Sequence, residues 1–90
     1  MEAVNNLEYY KVFYHAARAG SLTVAAGELH ITQPAVSQSV KQLETALGVK
    51  LFARATRGVR LTTEGERLYG YVAKGYEQIA LGEQKLRQML

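Results

Sequence analysis

The sequence of 90 residues contains no cysteine and only one proline. The absence of cysteine excludes a disulfide framework and any zinc site built on thiolates, so stability has to come from packing or from association with a partner subunit. No apolar run approaches the roughly 20 residues that a membrane-spanning helix requires. Because the segment Met1–Asn6 has no basic region followed by an apolar stretch, the sequence predicts no secretory signal and a cytoplasmic location.

The sequence also lacks the residue patterns of an enzyme or a metal centre. It contains no nucleophile–base pair, no glycine-rich phosphate loop and no acidic dyad. Neither His15 nor His30 has a second ligand or a carboxylate at a useful spacing, so both are interpreted as structural or surface residues. The prediction is therefore a protein without enzymatic activity, catalytic residues, metal or cofactor.

Size and charge distribution indicate a small domain that binds a polyanion. With 48% hydrophobic residues the chain is typical of one soluble globular domain, and its short length allows only a modest core. The net charge of +3 is concentrated in the middle of the chain. Residues 33–67 carry six basic and three acidic side chains, whereas residues 1–32 carry two basic and three acidic ones. A polyanion such as nucleic acid is expected to bind the middle segment.

Apolar periodicity and helix breakers predict two helices in the first third of the chain. The first covers residues 7–19, where apolar side chains recur at steps of three and four, with Asn6 as N-cap and Gly20 as its end. The second covers residues 22–30. Either of two hydroxyl side chains can cap this second helix, those of Ser21 and Thr23.

A third helix is predicted after a tight turn. Thr32 is its N-cap, Pro34 lies in its first turn, where the missing N–H does no harm, and Gly48 ends it after Leu47. Two short helices joined by about three residues form a helix-turn-helix, in which the second helix enters the major groove of DNA.

The two faces of the third helix differ in a way that suits this role. The inward face is apolar: Val36, Val40, Leu43 and Leu47. The outer and flanking positions carry amides, hydroxyls, one proline and one cation: Gln33, Pro34, Ser37, Gln38, Lys41, Gln42 and Thr45. Glutamine can pair with adenine and lysine with guanine or phosphate, while Pro34 can contact a thymine methyl. Ser37 and the free N–H groups near the helix start suit a phosphate oxygen. Taken alone, this helix is equally compatible with a solvated polar face.

A short hairpin with a basic loop is predicted behind the third helix. Residues 49–53 favour a strand, and Arg60 and Leu61 can form its partner. Residues 54–59 make the loop between them. A hairpin placed after a recognition helix is a wing, and this position makes DNA binding the favoured interpretation.

The arginines of this wing have more than one possible role. Arg57 and Gly58 lie at the predicted tip, which has the right size to enter a minor groove, where narrow A·T-rich stretches attract arginine. Arg54 can contact DNA or pair with Glu44 or Glu64. Arg60 can serve the strand pair or a phosphate.

The last predicted helix begins at Thr62 or Thr63 and continues to the end of the sequence without a breaker. Thr63 and Glu66 fit the capping-box spacing, whereas Thr62 as the cap would place Thr63 at the first helical position, so both caps stay open. Apolar residues and glycines repeat at seven-residue spacing along one side, which indicates a seam with a partner helix. The predicted dimer-interface residues are Leu68, Val72, Gly75, Tyr76, Ile79, Gly82, Leu86 and Met89. The six tyrosines have helical spacing that favours core and dimer packing over base stacking.

Several strings at matching spacing resemble one known family. The strings are Gly20-Ser21-Leu22-Thr23 with Ala25-Ala26, Leu29 through Ser37, Leu43-Glu44, Leu47 through Phe52, Arg57-Gly58-Val59, and Leu61-Thr62 through Gly65. Together they are similar to the N-terminal region of LysR-type transcriptional regulators over nearly the whole chain.

The resemblance implies a mainly α winged helix-turn-helix, three helices plus a short β-hairpin wing, followed by a long dimerisation linker helix. The expected division is a DNA-binding domain over residues 1–61 and a linker helix over residues 62–90, with the effector-binding domain of the family absent from this chain. The implied partners are double-stranded DNA with an imperfect inverted repeat and a second subunit in a homodimer, with tetramers formed by the full-length protein. A small-molecule effector would bind the absent domain.

The resemblance also assigns contacts. Family contacts carry over to Gln33, Pro34, Ser37 and Gln38 in the recognition helix, to Arg57 in the wing and, as a phosphate contact, to Thr23. Together with the residues derived above, the predicted DNA-binding set is Thr23, Thr32, Gln33, Pro34, Ser37, Gln38, Lys41, Arg54, Arg57 and Gly58. At the position of Gln38 the family very often has arginine, so Gln38 is expected to shift base preference from guanine towards adenine.

Two other interpretations compete with sequence-specific DNA binding by this family. The first is a winged-helix module for protein association, in which the long helix forms a tight dimer and DNA is attracted only by charge. The second is a winged-helix regulator of another family, with a different dimer geometry. The polar outer face of the third helix and the basic wing favour DNA binding over association.

Overall fold

The computed structural model describes residues 6–90, and these residues form four helices and one two-stranded hairpin. The elements in chain order are α1 (Leu7–Ala19), α2 (Leu22–Leu29), α3 (Gln33–Leu47), β1 (Phe52–Arg54), β2 (Val59–Leu61) and α4 (Thr63–Met89). The predicted mainly α winged helix-turn-helix with a long final helix is confirmed. The prediction that the chain has no secretory signal was based on residues 1–6, and of these only Asn6 lies within the described residues.

Both ends of α1 agree with the prediction, but the predicted side-chain cap at Asn6 is not formed. The side chain of Asn6 makes no capping hydrogen bond. Its φ of −125° and ψ of 81° depart from the extended geometry of a side-chain cap, and its backbone carbonyl accepts the N–H of Tyr9 at 3.2 Å instead. At the other end Gly20 adopts a left-handed conformation with φ of 64° and donates its N–H to the carbonyl of Ala16.

The helix-turn-helix is formed by two side-chain caps and one left-handed residue. Ser21, not Thr23, caps α2, because its Oγ accepts the N–H of Val24 at 3.1 Å. α2 ends at Leu29, one residue earlier than predicted, because His30 turns the chain with φ of 58°. The predicted cap of α3 is confirmed, since Oγ1 of Thr32 accepts the N–H of Ala35 at 3.3 Å.

The hairpin is shorter than predicted at its first strand. β1 pairs with β2 antiparallel, with Phe52 opposite Leu61 and Arg54 opposite Val59. The strand predicted over residues 49–53 starts only at Phe52, because the N–H of Leu51 and that of Phe52 point to the side chain of Glu44. β2 begins at Val59, one residue before the predicted partner.

Of the two candidate N-caps of α4, Thr62 is the one that caps the helix in the structure. Its Oγ1 accepts the N–H of Gly65 at 3.0 Å and donates to the carbonyl of Lys50 at 2.7 Å, while its own N–H donates to the carbonyl of Leu51 at 2.9 Å. Gly65 lies so close to the Leu51 carbonyl that a Cβ at this position would overlap it. The N-terminus of α4 is therefore held against the chain that enters β1.

The hydrophobic core consists of two adjoining clusters. The first joins α1, α2 and α3 and contains Val12, Ala16, Ala25, Ala26, Val36 and Val40. The second contains Phe13, Leu43 and Leu51, with half-buried side chains of α4 packed around them. The predicted inner face of α3 is confirmed, although Leu47 is half-buried rather than buried. Within residues 6–90, no helix has the length and apolar character needed to cross a membrane.

Candidate nucleic-acid interface

The outer face of α3 is open to solvent. Gln33, Pro34, Gln38 and Lys41 are exposed, and Ser37 is half-buried. Within residues 6–90, none of these side chains forms a hydrogen bond or an ion pair. Their donors and acceptors are therefore available to an external ligand, and the inward packing of Val36 and Val40 fixes the direction of this face.

The N-terminus of α3 offers fewer free backbone donors than the sequence indicated. Pro34 has no N–H, the N–H of Ala35 donates to the Thr32 hydroxyl, and the N–H of Val36 donates to the Thr32 carbonyl. Among the first helical residues, only Gln33 keeps an N–H without a partner in residues 6–90. The hydroxyl proton of Thr32 also remains free to donate, because Oγ1 is used as an acceptor. These two groups, and not a whole ring of N–H donors, suit a phosphate oxygen at this helix end.

The wing carries its three basic side chains in exposed positions. Arg54, Arg57 and Arg60 are exposed, and Arg57 lies in the turn between the strands. The N–H of Ala55 donates to the carbonyl of Gly58 at 3.2 Å and closes this turn. Gly58 has a φ of 76°, a conformation that glycine adopts without strain.

The alternative ion-pair role of Arg54 has no support within residues 6–90. The Oε2 atom of Glu44 accepts two backbone N–H groups, and Oε1 lies 3.9 Å from Nζ of Lys50. Neither Glu44 nor Glu64 forms an ion pair with Arg54 across the part of the chain that the structure describes. The guanidinium of Arg54 is therefore open to an anionic ligand.

The remaining predicted phosphate contact lies at the start of α2. Thr23 is exposed in the first turn of this helix, two residues after the capping side chain of Ser21. Since Ser21 satisfies the N–H of Val24, the Thr23 hydroxyl is not needed as a cap.

The predicted dimer-interface residues divide into two groups along α4. Leu68 and Val72 are half-buried and pack against the second core cluster of their own chain, and Tyr76 is half-buried against α1. The other residues of the set are exposed: Gly75, Ile79, Gly82, Leu86 and Met89. Between α1 and α4 lies an apolar groove of about 410 Å³, lined mainly by these α4 residues with Leu7 and Tyr10. One side of the long helix thus presents an uncovered apolar surface.

Three tyrosines stack where α1 crosses α4. The ring of Tyr14 lies 4.1 Å from that of Tyr76 and 5.9 Å from that of Tyr69, centroid to centroid, and Arg18 lies 5.3 Å above Tyr14. Burial raises the pKa of the Tyr76 phenol above its ordinary value, and the charges of Glu8 and Tyr14 raise it further. At least these three of the six tyrosines are engaged in packing.

One histidine has a partner that the sequence did not indicate. Nδ1 of His15 lies 2.9 Å from Oε1 of Glu28, so the interpretation of His15 as lacking a carboxylate partner is wrong. The two residues are 13 positions apart in sequence and meet because α2 packs against α1 after the turn at Gly20. Among the described residues, 6–90, no group of three or more potential metal ligands comes together.

A comparison with protein families matches most of this fold. The model of the bacterial regulatory helix-turn-helix proteins of the LysR family covers residues 7–66, from the start of α1 to the first turn of α4. The chain belongs to the LysR family. The suspected resemblance is thereby confirmed.

Curated relatives of this LysR-family chain are regulators of transcription. The transcriptional activator AmpR of Pseudomonas aeruginosa is 47% identical over 74 residues, 82% of this chain and 25% of that protein. The glycine cleavage system transcriptional activator of Escherichia coli K12 is 42% identical over 81 residues, 90% of this chain and 27% of that protein. The first relatives are matched over only 25% to 29% of their own length, so this LysR-family chain spans about a quarter of them.

Solved structures similar to this LysR-family chain include DNA complexes. The DNA-binding domain of BenM with benA site 1 DNA has a TM-score of 0.81 at 30% identity, covering 93% of this chain and 94% of that chain. The DNA-binding domain of CbnR with DNA has a TM-score of 0.77 at 30% identity, covering 93% and 97%. Full-length CbnR, a LysR family transcriptional regulator, has a TM-score of 0.78 at 30% identity, covering 91% of this chain and 28% of that chain.

Sequence reasoning missed the residues that hold the wing of this LysR-family domain. The sequence indicates Glu44 as an ion-pair partner and as part of a family string, yet its carboxylate anchors the chain that leads to β1. The sequence indicates Gly20 as a helix end and as part of a family string, yet its carbonyl also accepts the N–H of Val59 at 3.1 Å. Because both contacts join residues distant in sequence, no local pattern indicates them.

Proposed function

We propose that this chain is a sequence-specific DNA-binding domain of a transcriptional regulator, with α3 in the major groove of double-stranded DNA and the wing at the minor groove. The observation that carries the proposal is the exposed outer face of α3, whose amide, hydroxyl and ammonium groups have no partner in residues 6–90. The likeness at a TM-score of 0.81 to a BenM domain solved on DNA supports it.

The proposed contacts follow from the chemistry of each exposed side chain. Gln38 and Gln33 have amides that pair with adenine, Lys41 reaches guanine or phosphate, and Pro34 contacts a thymine methyl. Phosphate contacts are proposed for the hydroxyls of Thr23, Thr32 and Ser37. In the wing, we propose Arg57 at the minor groove and Arg54 at a phosphate, since both guanidinium groups are exposed. Gly58 belongs to this proposed set as the residue beside Arg57.

The proposed unit of binding is a homodimer on an imperfect inverted repeat. The exposed apolar side of α4, with Ile79 and Leu86 at seven-residue spacing, supports pairing through a second copy of this helix. We propose that residues 1–61 contact DNA and residues 62–90 pair the subunits. This division is functional, because the first turns of α4 also pack on the core through Leu68 and Val72.

Several finer expectations remain part of the proposal. The family implies tetramers of the full-length protein and binding of a small-molecule effector outside the DNA-binding region. We also propose that the chain acts in the cytoplasm, where a bacterial regulator of the matching family would meet DNA. A purely regulatory, non-enzymatic role is supported by relatives that are named transcriptional regulators or activators.

The test is selection of duplexes from a randomised library by the 90-residue chain, followed by affinity measurements at increasing salt. We expect a selected sequence with inverted symmetry that binds more tightly than a random duplex. The logarithm of the association constant should fall with the logarithm of salt concentration, by about 0.9 for each phosphate neutralised. Equal binding to selected and random duplexes by a stable dimer would instead support the protein-association module.

A further inference from the structure

The tip of the wing is attached to the turn between α1 and α2. The N–H of Val59 donates to the carbonyl of Gly20 at 3.1 Å. Beside this hydrogen bond, the Cα of Gly58 faces the same carbonyl so closely that a Cβ at Gly58 would overlap the Gly20 oxygen. The two backbones therefore meet with no side chain between them. We call this contact between Gly20 and Gly58–Val59 the wing contact.

The partner of the wing tip is a fixed point of the helix-turn-helix. Gly20 ends α1 with its N–H bonded to the carbonyl of Ala16 at 2.9 Å, and Ala16 is fully buried. The next residue, Ser21, caps α2 through its hydroxyl. The carbonyl of Gly20 thus belongs to a turn that is anchored in both flanking helices. The wing contact therefore fixes the tip of the hairpin relative to these helices.

The wing contact determines where the basic residues of the hairpin lie. Arg57 precedes Gly58, so their Cα atoms are about 3.8 Å apart across one trans peptide. Arg54 lies opposite Val59 in the strand pair. The wing contact thus joins the turn to the helical body in addition to the attachment at the bases of β1 and β2.

We propose that Gly58 is a positioning residue for DNA binding, which acts by allowing the wing contact and thereby holding Arg57 where it meets the minor groove while α3 occupies the major groove. The inference rests on the proposed function. It assigns Gly58 an effect that passes through Arg57, which differs from a contact made by the Gly58 backbone itself.

The test compares Gly58→Ala with a glycine of the same backbone conformation. Gly48 has a φ of 75°, against 76° for Gly58, but a Cβ at Gly48 would meet nothing within 4 Å. Gly48→Ala therefore introduces the left-handed strain alone, whereas Gly58→Ala adds the overlap with Gly20. Binding is measured on the duplex that the parent selects, for the parent, both glycine variants, Arg57→Ala and the double variant of Arg57 and Gly58.

We expect Gly58→Ala and Arg57→Ala each to weaken binding by about tenfold. The double variant should bind within about twofold of Arg57→Ala, because displacing the wing has no further effect on binding once the Arg57 side chain is absent. Gly48→Ala should bind within about twofold of the parent. Equal affinities of Gly58→Ala and Gly48→Ala, or losses that multiply in the double variant, would overturn the inference. A parent that selects no duplex would overturn the proposed function and the inference with it.

A second measurement does not depend on the folding of any variant. In the parent, the amide proton of Val59 should exchange slowly with solvent because it donates to Gly20. Exchange of Val59 as fast as that of the exposed residue Arg57 would show that the wing contact is not maintained in solution, and would overturn the inference even if DNA binding is intact.

Discussion

The carboxylate of Glu44 on α3 accepts the backbone N–H of Leu51 at 2.8 Å. The same oxygen accepts the N–H of Phe52 at 3.3 Å, and the backbone carbonyl of Glu44 accepts those of Gly48 and Val49. One residue thus satisfies four backbone donors where the chain leaves α3 and enters β1. Since the Glu44 side chain is only 12% exposed, water cannot readily replace it. The wing therefore depends on a residue of α3 for its attachment.

Glu44→Ala is expected to lower the free energy of unfolding by about 2–4 kcal/mol, because the N–H groups of Leu51 and Phe52 lose a charged acceptor. Glu44→Gln keeps an acceptor oxygen and should cost less. The measurement is urea denaturation followed by circular dichroism. Lys50→Ala is the matched control, since its ammonium lies 3.9 Å from Glu44 at an exposed position and should change stability by less than about 1 kcal/mol. A loss for Glu44→Ala no larger than that of Lys50→Ala would contradict the assignment.

Gln38→Ala is expected to weaken binding to the selected duplex by about 1–3 kcal/mol and to relax the base preference at one position. Gln38→Arg, which introduces the residue common in the family, should move that preference from adenine towards guanine. Both effects are measured by repeating the selection and the affinity titration with each variant. Gln84→Ala, an exposed glutamine of α4, serves as the control for an amide removed elsewhere. An unchanged preference in all variants would exclude Gln38 from base recognition.

The helix boundaries were largely predictable because their signals are local. Gly20 and Gly48 end α1 and α3 in the left-handed conformation that their sequence positions suggested, and Thr32 caps α3. The start of β1 was not predictable, because residues 49–51 are strand-like by composition. The N–H groups of Val49 and Leu51 instead donate to Glu44, on a helix that ended before them.

In the candidate site, too, the features set by local sequence were predictable and those set by contacts distant in sequence were not. The outer face of α3 follows from helical periodicity, so Gln38 and Lys41 could be located from sequence alone. The proximity of Gly20 to the wing could not, because it depends on how the hairpin packs against a turn almost 40 residues earlier in the chain. The pair of His15 and Glu28 was missed for the same reason.

Ile79→Asp is expected to convert a dimer of this chain into monomers. Ile79 is 63% exposed in the single chain and lies in the centre of the apolar side of α4, so a carboxylate there would have to be buried without a partner on pairing. Sedimentation of parent and variant measures the effect. Gln84→Asp adds the same charge on the opposite side of α4 and should leave the dimer intact. A dimer unchanged by Ile79→Asp would refute pairing through this seam.

Tyr76 is expected to make stability depend on pH in alkaline solution. Because burial raises the pKa of its phenol above the ordinary value near 10, the folded chain keeps the proton to a higher pH than the unfolded chain does. The contribution is complete below that ordinary value, and the free energy of unfolding falls as pH rises through the raised pKa. Denaturation of the parent and of Tyr76→Phe over this range should show a smaller fall in the variant.

Tyr71→Phe is the appropriate reference for that experiment. It removes a phenol from the same helix at a residue that is 75% exposed, so the difference between the two variants isolates the burial of Tyr76. Identical pH dependence in both variants would show that burial does not raise the pKa of the Tyr76 phenol.

The attachment of α4 at Thr62 bears on how far apart the two DNA-binding surfaces of a dimer would lie. Thr62 and Gly65 attach the first turn of α4 to the backbone at Lys50 and Leu51, so the direction of the long helix is coupled to that of α3. In a dimer paired through α4, the length of helix between Thr62 and Ile79 would set the distance between the two DNA-binding surfaces. One inserted heptad would lengthen it by about 10 Å, or about three base pairs. In such a dimer, the spacing between half-sites would change while every proposed base-contacting residue stays the same.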